Sequence, residues 1–400
     1  MVSQMELKIT DEKGVQDMTE KLYYQDSHQK EFTAQVIACE WDEKRKLYGV
    51  VLDRTCFFPE EGGQYADSGI LQGIPVEDVQ EQDGTVIHYT KKQFTEGTEI
   101  NGCIDFEERF SKMQQHTGEH IISGLVRRHF GYDNVGFHLG RELVTMDFNG
   151  SFTREQLQMV EQKANEAVVA NIAVCVSYPS REELAQMDYR SKKELSGQVR
   201  IVTVPGYDVC ACCAPHVKHT GEIGLIRLID AARHKGGTRV TMVCGFRALA
   251  DYQMKEDNIL EISRLLSAKP YETAEAVKRL QREIQQGKDK LFRLQSRYLD
   301  QKLKEQNYLL FEDELDKNAA RRFVDTGMRS YDGICGIFLG NDHQGYQYIL
   351  GSQHKNLRDF LKDFHERFPG KGGGKPEMVQ GTVTASCQEI MAYLSETQCH

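Results

Sequence analysis

At 400 residues the chain has room for two to four domains, and 40% hydrophobic with 28% charged residues is an ordinary globular balance. Its apolar runs are too short to cross a bilayer, and MVSQMELKITDEKG holds no apolar targeting segment. Eleven cysteines without framework spacing point to reduced thiols, so a cytoplasmic protein with no membrane partner is expected. A net charge of -10 argues against indiscriminate nucleic-acid binding but leaves room for a local basic face.

The pattern predicts an α+β protein in four parts. Residues 1–109 read as strands (KLYGVVLDRTCFF, TVIHYT, INGCIDF) with glycine and Asp-Gly punctuation, the signature of a small β-barrel. Residues 110–248 switch to a helix, FSKMQQHTGEHIISGLVRRHFG, with Met113, His116, His120, Ile121, Gly124 and Leu125 on one stripe and Gly131 as its stop. Strands VGFHLG and LVTMDF follow, then a helix opened by the cap-like TREQ, then further strands. Residues 249–306 hold a heptad seam, Val277, Leu280, Ile284, Gly287, Leu291, Leu294 and Tyr298, expected in a helical hairpin arm. Residues 307–400 read as a compact α/β unit with strands YLLF, CGIFLG and YQYILG, a helix over 357–368 and a glycine-rich loop, PGKGGGKPEMVQG.

Two pairs of metal-ligand residues stand out. His116 and His120 are at i and i+4, so a helix presents both on one face. Cys212 and His216, in CCAPH, have the same spacing in a turn after a strand, where a loop can deliver both side chains. Two His plus Cys and His make a tetrahedral donor set for zinc (Zn2+). Cys210 and Cys213 form a C-x2-C of their own and are read as buried thiols. Four protein ligands make a closed site, whereas hydrolytic zinc keeps a position open, so the donor set alone leaves structural and catalytic roles standing. HTGEH also spells the inverted zinc-protease motif, with Glu119 as base; the plainer reading puts Glu119 on the solvent side of the helix. No zinc-deaminase, P-loop or dinucleotide-binding pattern is present, so no nucleotide cofactor is expected. Basic residues gather in two stretches, one from Arg190 through Lys192, Lys193, Arg200 and Lys218 to Arg239, the other from Lys278 to Arg297.

Four segments, in order, resemble the free-standing alanyl-tRNA editing proteins of the long type. LDRTCFFPEEGGQYADSG resembles that family's Gly-Gly-Gln-x-x-Asp-x-Gly segment, and MQQHTGEHIISG its His-x3-His helix. CCAPHVKHTGEIG resembles its Cys-x3-His loop, and GGGKPEMVQG its C-terminal DHHA1 domain. Cys213, Ala214 and Pro215 depart from the family's frequent Gly-Gly-Thr, and Glu119 stands where synthetases often have Thr. The resemblance implies hydrolysis of tRNA(Ala) carrying serine or glycine, at zinc held by His116, His120, Cys212 and His216, without aminoacylation. It implies a pocket role for His138, expected to be catalytic, with Gln64 and Asp67 shaping the loop over the pocket; Glu119 is expected as a second catalytic residue from the HTGEH motif and not from the resemblance. Arg239 is expected to meet acceptor-end phosphates. A homodimer through the arm or the C-terminal unit is expected on the same ground. Two alternatives stand beside it: a zinc peptidase using HTGEH, and a non-catalytic tRNA-binding protein with structural zinc.

Overall fold

Alternation builds the first element. In Glu31–Asp42 (β1) the side chains of Phe32, Ala34 and Val36 point inward while their neighbours face water. The computed structural model describes residues 18–191 and 198–398, so Lys192 and Lys193 of the first basic stretch lie outside the described residues. Leu47–Leu52 (β2), Gly69–Leu71 (β3), Ile74–Gln82 (β4), Thr85–Thr90 (β5) and Glu99–Ile104 (β6) complete a closed barrel in the order β1-β2-β5-β4-β3-β6. Val50, Leu52, Phe57, Leu71, Val79 and Val86 fill its interior.

The helix Phe106–Phe130 (α1) starts four residues earlier than the pattern predicts, because Asp105 caps it by accepting from the Glu108 N–H at 3.0 Å. Gly131 ends it in the left-handed region, φ 68°, as expected. From Lys112 to Val126 its side chains are buried on every face, unlike an amphipathic surface helix. Asn134–Leu139 (β7), Val144–Phe148 (β8), the helix Arg154–Ala170 (α2), Ile201–Val204 (β9), Asp208–Ala211 (β10), Ile226–His234 (β11) and Gly237–Cys244 (β12) surround it. One sheet runs β11-β12-β8-β7, and a second joins Cys175–Ser177, β9 and β10. The TREQ cap of α2 is a full capping box between Thr153 and Gln156. Ile121, Ile122 and Leu125 of α1 pack with Met146, Val160 and Met242 in one core, each worth about 1.5–3 kcal/mol on full burial.

The chain divides into two compact units, Met1–Asn258 and Ile259–His400. The long helix Gly245–Leu266 (α3) runs across that division. In the second unit Thr273–Lys304 (α4) carries the heptad seam, whose Val277, Leu280, Ile284, Leu291 and Leu294 are exposed. Leu309–Glu312 (β13), Cys335–Asn341 (β14), Gly345–Gly351 (β15), Gly370–Lys375 (β16) and Met378–Val383 (β17) form a sheet in the order β13-β14-β15-β17-β16. Phe338, Tyr348, Leu350, Leu361 and Phe364 make its core. The glycine-rich segment, expected as a loop, is instead the hairpin β16-β17. Cross-strand pairing overrides the poor strand preference of glycine there. A Cβ at Gly372 or Gly381 would collide with the Tyr348 hydroxyl, so the motif clears a ring on the neighbouring strand.

Candidate metal centre

The one-face spacing on α1 aims His116 and His120 at the loop after β10, which supplies Cys212 and His216. One ligand atom from each of the four lies within 4.8 Å of all the others. Cys212 Sγ is 3.6 Å from His116 Nε2 and 3.4 Å from His216 Nε2. Two α1 glycines let strands pack close against this helix. A Cβ on Gly118 would meet Cys244 Sγ, and one on Gly124 would strike the Tyr207 carbonyl just before Asp208. Gly124 therefore lets β10 lie directly against the helix.

Each imidazole is held from behind. His116 Nδ1 is 2.9 Å from Gln64 Oε1, His216 Nδ1 is 3.0 Å from Thr117 Oγ1, and His120 Nδ1 is 3.1 Å from Asp208 Oδ2. Asp208 is fixed in turn by the Arg190 fork, with both bonds at 2.7 Å. Such backing fixes ring orientation and raises ligand basicity at a metal. The electrostatics favour a thiolate at Cys212. Burial disfavours charge on the Cys212 sulfur, yet His116 and His216 hold its thiol well below the usual range. Burial opposes the His120 cation too, but Asp208 and Cys212 bring that ring up to about 9, while burial takes His216 down to about 3. A thiolate among imidazoles is a ready donor set for a metal ion.

The loop Glu61–Gln64 is what brings Gln64 to His116. Gly62 and Gly63 adopt φ of 64° and 83°, and a Cβ on Gly63 would lie 2.7 Å from the Phe137 carbonyl. The Gly63 carbonyl accepts from Leu139 N–H at 2.9 Å, pinning the loop to β7. Asp67 sits elsewhere. It is buried away from the centre, accepting from Phe58 N–H at 2.8 Å and Arg109 Nε at 2.9 Å, with Lys112 Nζ at 3.3 Å. Its role in the structure is to fasten this loop to α1.

The cluster opens on a cavity of about 980 Å³ whose wall includes His116, His120, Cys212, Glu119 and Arg200. Glu119 is buried, not on the solvent side of the helix: Oε1 accepts from Ser123 at 2.7 Å and Asn134 at 2.6 Å, and Oε2 is 3.9 Å from His120 Nε2. His138 is not among the residues of the cavity wall. It is exposed on the face of β7 opposite Phe137, and Phe137 is the residue that reaches the centre, its ring 4.7 Å from His116. The period of two along a strand sends neighbours to opposite faces. Arg239 has its fork on Asp147, at 2.7 and 2.8 Å, across the β8-β12 pair, and is not part of the cavity wall. Asp208, Arg190 and Thr117 escaped attention as parts of the site. Asp208, an ionised residue inside an otherwise buried strand, was the available signal.

Two family models match the chain: tRNA synthetases class II (A) over residues 2–108, and the threonyl and alanyl tRNA synthetase second additional domain over residues 199–241. The alanyl-tRNA editing protein AlaX-L of Pyrococcus horikoshii is 27% identical over 93% of this chain and 96% of its own. The alanyl-tRNA editing protein Aarsd1 of Danio rerio is 26% identical over 93% and 96%. Over nearly its whole length this chain is similar to alanyl-tRNA editing proteins. Alanine–tRNA ligases also match, that of Ignicoccus hospitalis at 31% identity over 72% of this chain, but the chain spans only 32% of that ligase. The first matched segment holds Gln64 and Asp67, and the second holds Cys212, His216 and Arg239. His116 and His120 lie between the two, so the cluster is assembled by the fold from separated stretches.

Proposed function

We propose that this protein hydrolyses the ester of tRNA(Ala) carrying serine, and glycine with it, in trans, at a zinc ion held by His116, His120, Cys212 and His216. The observation that carries this is the meeting of the two ligand pairs at the wall of an open cavity in a chain similar to alanyl-tRNA editing proteins. Zinc bonds of about 2.0–2.1 Å to nitrogen and about 2.3 Å to sulfur put tetrahedral neighbours about 3.4–3.6 Å apart. The Cys212–His116 and Cys212–His216 separations of 3.6 and 3.4 Å fit that edge. A hydrophobic pocket choosing alanine cannot strongly reject an added hydroxyl, which is why a second, hydrolytic site is needed.

Zinc at such a site polarises a carbonyl and acidifies water. The residues of the chain do the rest. Gln64, Thr117 and Asp208 hold the three imidazoles in register. Glu119, fixed by Ser123 and Asn134, presents a carboxylate beside His120 that can take a proton from an attacking water. The peptidase alternative gives no role to Cys212 and His216, which the fold brings to His116 and His120. Within this reading the division at residues 109, 248 and 306 stands as four functional parts, the last resembling DHHA1. A homodimer along the exposed α4 seam or through the C-terminal unit belongs to the reading too; a monomer by sedimentation would remove it.

The test is release of labelled serine from Ser-tRNA(Ala), with bound zinc measured in parallel. The wild type releases serine, and His116→Ala and Cys212→Ala lose both zinc and at least about 100-fold in rate. A folded, zinc-loaded wild type that releases no amino acid from Ser- or Gly-tRNA(Ala) overturns the reading.

A further inference from the structure

The C-terminal unit leaves half of one sheet face bare. The helix Lys317–Gly327 (α5) packs Ala320, Phe323 and Val324 against Ile337 and Ile349, so it covers β14 and β15. Beyond β15 the same face is open. Gln347, Thr382 and Lys371 stand in one register row across β15, β17 and β16, and all three are exposed. Ile349, Gln380 and Gly373 make the next row. With Lys317, Asn318 and Arg321 of α5, these rows line a hollow of about 660 Å³.

Charge in this hollow is one-sided. Lys317, Arg321 and Lys371 line it, no carboxylate does among the described residues, and none of the three cations has a hydrogen bond or ion pair there. Other exposed cations of the same unit find acids: Arg322 with Asp300, Arg329 with Asp325, Lys362 with Asp359. In a chain of net charge -10, three convergent and unpaired cations make a local field that favours an anion. Gly373 is a separate mark. A Cβ there would meet nothing within 4 Å, whereas one at Gly372 or Gly381 would meet the Tyr348 hydroxyl. Glycine weakens a strand, so a glycine that packing does not require, in the floor of a charged hollow, leaves room for a ligand close to the backbone.

Size and charge layout favour a compact anion over an RNA strand. The volume lies within the roughly 300–1,000 Å³ of small-molecule sites. The adjoining hollow shares Lys317, Leu339, Gln347 and Thr382, and its further wall carries Asp313, Glu314 and Asp316. A strand crossing the sheet would pass from cations to carboxylates, whereas a short ligand keeps its charge among the cations. Unstacked RNA is held on aromatic platforms, and the one aromatic residue on this wall, Tyr348, is buried with its hydroxyl 2.8 Å from His365 Nε2. Asn318, Gln347 and Gln380 add neutral donors and acceptors beside the cations.

We propose that this hollow binds a nucleoside di- or triphosphate. Lys317, Arg321 and Lys371 take the phosphates, and the nucleoside lies over Gly373 along the amides of Gln347 and Gln380. Side-chain cations hold the phosphates here, so no P-loop pattern is needed.

The experiment uses the full chain and ATP, by calorimetry at about 50 mM KCl. The wild type binds ATP. Arg321→Gln and Lys371→Gln together, at two exposed positions, weaken binding at least about tenfold. Gly373→Val places a β-branched side chain in open space, so the unfolding temperature stays or rises while ATP binding weakens about tenfold. A glycine kept only for the fold would give the opposite pair of results. No ATP binding by the folded wild type, or unchanged affinity in either variant, overturns the site. A short oligouridylate that binds here in the wild type, is lost in the same variants and is not displaced by ATP would make the face an RNA surface and overturn the proposal. None of these readouts passes through ester hydrolysis, so the site stands or falls apart from the deacylase reading.

Discussion

Asp208 shows how much of the centre rests on a residue that binds no metal. It stands 3.1 Å from His120 Nδ1 and is gripped on its other side by Arg190. Removing its charge leaves the His120 ring in place but without its backing carboxylate. Asp208→Asn is therefore expected to weaken zinc binding about 10–100-fold while the protein stays folded, measured by competition with a chromophoric chelator. Unchanged affinity would mean that Asp208 serves Arg190 alone. The four donors were legible in the sequence because i,i+4 spacing on a helix and a Cys-x3-His turn are local patterns. Asp208, Arg190 and Thr117 were not, because each acts across a long stretch of chain that only the fold closes. His138 and Phe137 illustrate the same limit: adjacent residues on a strand face opposite ways, and the direction of the pleat is set by the partner strand β8.

At the scale of elements, the buried charge cluster between α1 and the loop before β3 is the main tie. Arg109 and Lys112 of α1 are fully buried, and Asp67 is the carboxylate that meets both. Asp67→Asn leaves two buried cations short of their counter-charge, and a loss of about 3–5 kcal/mol in unfolding free energy is expected by denaturant titration. The pH dependence has a definite sign. Burial raises the Asp67 pKa, but Arg109 and Lys112 outweigh it and hold it below its ordinary value. The stabilisation is thus present above the unfolded-state value of about 3.9 and disappears as pH falls through the lower folded-state value. Asp67→Asn should flatten that acid limb; a variant with the wild-type limb would show that the pair contributes nothing net. The sequence made the caps of α1 and α2 and the barrel strands readable, since caps and alternation are short-range. It did not show that the glycine-rich segment is a hairpin, because the clearance over Tyr348 comes from β15, a strand away from it in the sheet order.

For the whole molecule, charge sets how a polyanion can be held. Acids outnumber bases 60 to 50, so the mean field repels tRNA and only local groups can bind it. Around the centre the basic residues are mostly engaged: Arg190 with Asp208, Arg239 with Asp147, Arg227 with Glu161, Lys218 with Asp26. Helix α4 differs, with Lys288, Lys290, Arg293 and Arg297 all exposed. Phosphate contacts on α4 release counterions, so the KM for Ser-tRNA(Ala) should rise several-fold between about 50 and about 200 mM KCl. A 3′-seryl-adenosine ester has no phosphate to lose and should keep its KM over that range. Replacing Lys288 and Arg293 together by Gln should raise the tRNA KM at low salt and lower the log–log salt slope by about one to two. A slope unchanged by these substitutions would move the tRNA contacts off α4. Equal salt sensitivity of the two substrates would place the effect in the centre itself, against the expectation that the buried ion pair of Asp208 with Arg190 is little screened.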